Sequence, residues 1–146
     1  MSWLPKRKVV IPVDFSETSL EAISTAVEMA ASPSDVHAVH VLIPLEGLSP
    51  GVIWGEVNDE SREKAVRKTF ATYAHEHGLD GVQFDVKFGD PGFLITEFAA
   101  DLAADLIVIS SHGYGGFKRL VLGSVAERVI RHAHCPVLVL RRSDAE

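Results

Sequence analysis

Short apolar runs and longer stretches with helical spacing take turns along this chain, and each switch predicts a new element. Val9 to Val13 is apolar on both faces and rich in β-branched residues, so it reads as a strand buried on both sides and ended by Asp14. Ser16 is a candidate N-cap for a helix in which Leu20, Ile23, Val27 and Ala30 or Ala31 recur at helical spacing, closed by Pro33. A second strand covers roughly 35–43, and a loop with Pro44, Gly47, Pro50, Gly51 and Gly55 follows. The next helix is expected over 59–77, with Val66, Phe70, Tyr73 and Ala74 as its apolar stripe. Glu60/Lys64 and Glu63/Arg67 stand four apart on its wet side, and Gly78 stops it. Val82 to Phe88 alternates as a strand. Asp90-Pro91 then supplies an N-cap and a first-turn proline for a helix carrying Leu94, Ile95, Phe98 and Leu102 to about Ala104. Leu106 to Ile109 is a buried strand, 124–134 a helix, and 136–140 the last strand.

The resulting order is β-α-β-α-β-α-β-α-β. Strict alternation with buried apolar strands implies an α/β fold, a parallel sheet with helices on both faces and right-handed crossovers. No internal repeat or linker interrupts it, so residues 1–146 are read as one domain.

Composition narrows the class. Apolar residues at 47% and charged residues at 23% are the balance of a folded globular chain. A formal net charge of −6 argues against broad nucleic-acid binding. The single cysteine, Cys135, leaves no internal disulfide and fits a reducing compartment. Lys6, Arg7 and Lys8 precede an apolar run far shorter than the ~7–15 residues of a signal h-region. No stretch approaches the ~18 apolar residues of a membrane span. The expectation is a cytoplasmic protein.

In an open parallel sheet, ligands bind beyond the carboxyl ends of the strands, where strand order reverses. If the first and fourth strands are neighbours, that crevice is lined by Asp14-Phe15-Ser16 and by Ser110-Ser111-His112-Gly113-Tyr114-Gly115-Gly116. The second stretch is small, polar and glycine-rich, which lets backbone N–H groups approach an anion. It leads to Gly123-Ser124 at a helix start, where the macrodipole and free N–H groups favour phosphate. Neither GxxxxGK[ST] nor a GxGxxG after the first strand occurs, so the P-loop and the dinucleotide fingerprint are absent. On these grounds a phosphate site and a mere chain turn stand level.

Val10-Ile11-Pro12-Val13-Asp14-Phe15-Ser16, Phe88-Gly89-Asp90-Pro91, Ser111-His112-Gly113, Gly123 to Ile130 and His134-Cys135-Pro136-Val137-Leu138-Val139 together resemble the universal stress protein family. The resemblance covers essentially the whole chain. It implies a Rossmann-like five-stranded sheet in the order 3-2-1-4-5, a homodimer and, in one branch, bound ATP, with Mg²⁺ or Mn²⁺ held through its phosphates. The ATP-binding branch carries Gly-x2-Gly-x9-Gly-Ser/Thr. Here Gly113, Gly123 and Ser124 match, while Ser110 stands at the first glycine, where a positive φ would strain it. Carried over by position, the resemblance places Pro12, Val13 and Asp14 around adenine and ribose and Val41 on the base. Ile109 and Ser110 fall by the ribose, and Gly113, Gly123, Ser124 and Val125 at the phosphates.

Each position has a plainer role beside that one. Ser124-x-x-Glu127 is a capping box in its own right, and Asp14 can cap the first helix or turn. Lys118 and Arg119 either reach phosphates or are simply solvated, and His112 either contacts the ligand or packs the loop. His132-x-His134-Cys135 and His75-x-His77 lack metal-site spacing, and nothing pairs Cys135 with a base. Trp54 belongs to a flap over the site or to an ordinary surface loop. The strand Pro136 to Leu140 falls at a sheet edge in the family order, and antiparallel pairing with a second subunit would cover it, Arg141 and Arg142 ending the pairing. The leading expectation is an ATP-binding regulator with little or no catalysis. A slow ATP hydrolase and a nucleotide-free protein-interaction module are the alternatives.

Overall fold

The computed structural model describes residues 2–44, 58–111 and 122–141. Its elements are β1 (Val9–Pro12), α1 (Glu17–Met29), a 3₁₀ turn (Pro33–Asp35), β2 (Val36–Leu42), α2 (Asp59–Glu76), β3 (Gln83–Phe88), α3 (Pro91–Asp101), β4 (Leu106–Ser110), α4 (Ser124–His132) and β5 (Val137–Leu140). The five strands form one sheet in the order β3-β2-β1-β4-β5, and all its pairings are parallel. The strand order reverses between β1 and β4.

The two faces of the sheet bury separate cores. Val9, Ile11 and Val13 project to one side with Leu106 and Val108, against Ala22, Ile23 and Ala26 of α1 and Phe70 and Ala74 of α2. Val10, Val39, Val41, Ile107 and Ile109 project to the other, against Ile95, Phe98 and Ala99 of α3 and Ala126 and Val129 of α4. Period-two alternation along each strand makes this division, and it requires helices on both faces.

Local chemistry fixes the element ends. Ser16 caps α1 by accepting from the Ser19 N–H at 3.3 Å, and Asp90 caps α3 by accepting from the Phe93 N–H at 3.0 Å. Phe70 and Ala74 are buried along α2, and Glu63 pairs with Arg67 at 2.8 Å on its wet side. Asp105 accepts from the backbone N–H groups of Arg7 and Lys8, both at 3.0 Å, and so fixes the entry to β1 beside that of β4.

α3 and α4 stop about three and two residues short of their sequence-based limits. α3 ends at Asp101 because Ala103 takes a left-handed φ of 54° and returns the Ala103 and Ala104 N–H groups to the Ala100 and Ala99 carbonyls. A glycine usually marks such a stop, and here alanine fills the role. α4 ends at His132, Ala133 is extended and the chain bends at His134 and Cys135 before β5; Pro136 also disfavours helical geometry at Cys135. Among the described residues β5 pairs only with β4, so the apolar Val137–Leu140 segment is an edge strand there and half-buried. No helix among the described residues is long and apolar enough to cross a membrane.

Candidate functional site

The exits of β1 and β4 meet at the strand-order reversal and line a narrow crevice. Pro12, Asp14 and Ser19 line it from the β1 side, and Ile109, Ser110, Ser111, Gly123, Val125 and Ala126 from the β4 side.

The β1 exit is a sharp, internally bonded turn. Asp14 Oδ1 accepts from the Ser16 N–H at 2.9 Å, while the Asp14 N–H donates to Ser19 Oγ at 3.2 Å. Phe15 between them adopts a φ of 64°, a left-handed conformation costly for an aromatic residue and held by the bonds on either side. Its ring packs against His40 at 5.0 Å between centroids, and His40 Nδ1 lies 2.6 Å from the Val13 carbonyl. These contacts leave Asp14 Oδ2 without a partner among the described residues, half-exposed on the crevice wall.

The β4 exit is differently built. Ser110 is the last residue of the strand, pairs with Leu140 and has an ordinary extended backbone. The positive φ that would strain a serine in place of glycine is absent. Its side chain is the single buried one among the described residues whose oxygen lacks a hydrogen-bond partner. The Gly123 N–H donates to the Ser111 carbonyl, which brings the start of α4 directly beside the end of β4. Arg128 pairs with Asp90 at 3.0 Å and packs on Gly92, holding α4 against the start of α3.

The N-cap of α4 is Gly123, and no side chain caps it. This corrects the capping box expected of Ser124 and Glu127: Ser124 is the first helical residue and exposed, so its hydroxyl is not in the cap position. The first-turn N–H groups of a helix have no partner within it, and with a glycine cap nothing on the side chain replaces one. They carry the positive end of the helix dipole into the crevice.

Of the positions singled out from sequence, Pro12, Asp14, Ile109, Ser110, Gly123 and Val125 converge on the crevice. Val13 does not: it is fully buried in the core on the α1 side, and only its backbone stands near the turn. Val41 is 4% exposed within the opposite core, apart from the crevice lining. His112, Gly113, Lys118, Arg119 and Trp54 lie outside the described residues. Ser111, expected there from the sequence, also lines the crevice, while Ser19 and Ala126 line it without having been anticipated. Ser19 was legible as the third helical residue after the Ser16 cap, whereas Ala126 is brought in by the packing of α4.

Other chemistry-bearing residues lie elsewhere. Burial pushes the Cys135 thiol up from its ordinary value, the Asp105 carboxylate adds to this, and Lys6 partly offsets it. A raised thiol is a poor nucleophile at neutral pH. Among the described residues, no three His, Cys, Asp or Glu side chains gather as a metal site.

Fold and crevice together define a parallel α/β domain with an anion-receptive helix start at its switch point. The universal stress protein family model matches residues 6–141. Universal stress protein MJ0531 of Methanocaldococcus jannaschii is 39% identical over 146 residues, covering 96% of this chain and 85% of that protein. Among solved structures, hypothetical protein MJ0577 matches with a TM-score of 0.77 at 28% identity, covering 97% of this chain and 99% of that one. A universal stress protein solved in complex with cAMP matches in fold, with a TM-score of 0.64 at 23% identity over 93% of this chain and 97% of its own. The chain belongs to the universal stress protein family.

Proposed function

We propose that this protein is an ATP-binding regulator with little or no catalysis, working as a homodimer. The observation that carries the reading is the crevice itself. Apolar Pro12 and Ile109, a carboxylate at Asp14 with one oxygen unpartnered among the described residues, and a glycine-capped helix start share one opening at the strand-order reversal. Such an arrangement suits a ligand with an apolar ring, hydroxyls and phosphates. Adenine and ribose would lie by Pro12, Val13, Asp14, Val41, Ile109 and Ser110, with Asp14 accepting from ribose hydroxyls. Gly113, Gly123, Ser124 and Val125 would hold the phosphates, with Mg²⁺ or Mn²⁺ bound through them. The cAMP complex of a fold neighbour supports an adenine nucleotide as the class of ligand. For Val13 and Val41 any contribution is indirect, through the backbone and the wall behind the crevice.

The apolar edge strand β5 supports dimerisation, since antiparallel pairing with its copy would cover an exposed ladder. A monomer in sedimentation at micromolar concentration would overturn the dimer.

The nucleotide is tested by denaturing the purified protein and chromatographing the supernatant, with ATP added to a second sample. ATP retained unchanged over days is expected. ADP accumulating would replace the regulator with a slow hydrolase. No released nucleotide and no thermal shift with added ATP would overturn the reading in favour of a protein-interaction module.

A further inference from the structure

A second cavity, of about 200 Å³, lies on the α1 side of the sheet between α1 and the ends of β4 and β5. Thr18, Glu21 and Thr25 line it from the helix, and Ser110 and Arg141 from the strand ends. Ala22 and Leu140 give it an apolar wall.

Three features mark it as more than a surface dent. Leu106 and Val108 of β4 project into the α1-side core, so alternation carries the Ser110 side chain to that same side. Ser110 is 5% exposed and its hydroxyl has no partner among the described residues, a costly state for a buried polar group. Glu21 and Arg141 put opposite charges on one small cavity, yet neither forms an ion pair, with the other or with any described residue. The Thr25 hydroxyl is likewise unpartnered among the described residues, and Thr18 shares only a 3.3 Å contact with Ser16 Oγ.

We propose that this cavity binds a free α-amino acid. The ammonium group would be met by the Glu21 carboxylate and the threonine hydroxyls. Arg141 would meet the carboxylate, Ser110 would donate to it, and Ala22 and Leu140 would take a small side chain. A ligand of single charge leaves one of the two opposed groups unmatched, and a neutral polyol leaves both. The site shares Ser110 with the crevice but does not rest on the nucleotide reading, because Thr18, Glu21, Thr25 and Arg141 line this cavity and not the crevice.

The test is an NMR titration of the ¹⁵N-labelled full chain with each standard L-amino acid into the millimolar range. At least one is expected to give saturable shifts centred on Thr25, Ser110 and Arg141. Glu21→Gln and Arg141→Gln, both at exposed positions, should each weaken it about tenfold or more while the melting temperature holds. The N-acetyl amide of the same amino acid, lacking both charges, should not bind. The proposal is overturned if no amino acid saturates, if both variants bind as the parent does, or if glycerol or the N-acetyl amide reproduces the shifts.

Discussion

The two strand exits that form the crevice are equally buried at their roots and oppositely built at their tips. At β1, nearly every nearby group is used: Asp14, Ser16 and Ser19 bond one another, the Ser16 side chain caps α1, and Asp14 Oδ2 is left without a partner among the described residues. At β4, groups are left over: Ser110 Oγ has no partner among the described residues, and α4 starts at a glycine that offers no capping side chain. A tip that satisfies itself is rigid scaffold. One that leaves donors unmatched keeps them for something else, at a cost in stability that the shared core must offset. On the proposed reading, the β1 exit shapes the crevice, while the glycine-capped start of α4 beside the β4 exit supplies its attraction for an anion.

The largest expected effect tests the equality at the roots. Ile11 in β1 and Ile107 in β4 are both 0% exposed, so Ile11→Ala and Ile107→Ala should each cost about 2–5 kcal/mol in urea unfolding. A marked inequality between them would show that one strand, and not the tip chemistry, sets the contrast.

The second prediction breaks the asymmetry at the tips. Gly123 has φ −75° and ψ 163°, which any residue can adopt, so Gly123→Asp should place a capping carboxylate on α4. Isothermal titration with ATP should then show at least about a tenfold loss of affinity, from charge repulsion and occupied donors. Stability should be unchanged or higher. Unaltered affinity would remove the α4 start from the site.

A smaller effect compares the two serines. Ser16→Ala deletes a cap that is present and should cost about 1 kcal/mol of stability without changing nucleotide affinity. Ser124→Ala deletes an exposed hydroxyl outside the cap and should change stability by less than about 0.5 kcal/mol. Equal losses in thermal unfolding would restore Ser124 to a capping role.

The smallest effect lies far from both tips and serves as a control. Burial lowers His37 from its ordinary value of 6.5; Lys8 adds to the shift, while Asp85 and Asp35 oppose it. The unfolded chain therefore takes up the proton first. The contribution of His37 is fully present above about pH 6.5 and is lost as pH falls through that value toward the lower folded one. A melting profile over this window should be flatter in His37→Gln, with nucleotide affinity unaltered.

The fold was legible because its signals are local and mutually consistent. Apolar runs such as Val9 to Val13, the Ser16 cap and Asp90-Pro91 each specify an element without reference to the rest. Their alternation then leaves little but a parallel sheet. What escaped was chemistry decided by geometry across the chain. The Ser124–Glu127 pattern has the spacing of a capping box, but one residue of register moves the cap to Gly123. Val13 and Val41 carry the right positions by resemblance, yet strand alternation turns their side chains into the two cores. Ser110 read as a flaw in a glycine pattern. In the folded chain it is unstrained, and its unpaired hydroxyl became visible only when burial and partners were known.

The central claim is tested most directly by calorimetric titration of the nucleotide-free chain with ATP, read alongside its melting temperature. Saturable binding near one nucleotide per chain is expected, with about 2.7 kcal/mol of added stability at a hundred times the dissociation constant. No binding heat and no melting shift at millimolar ATP would contradict it.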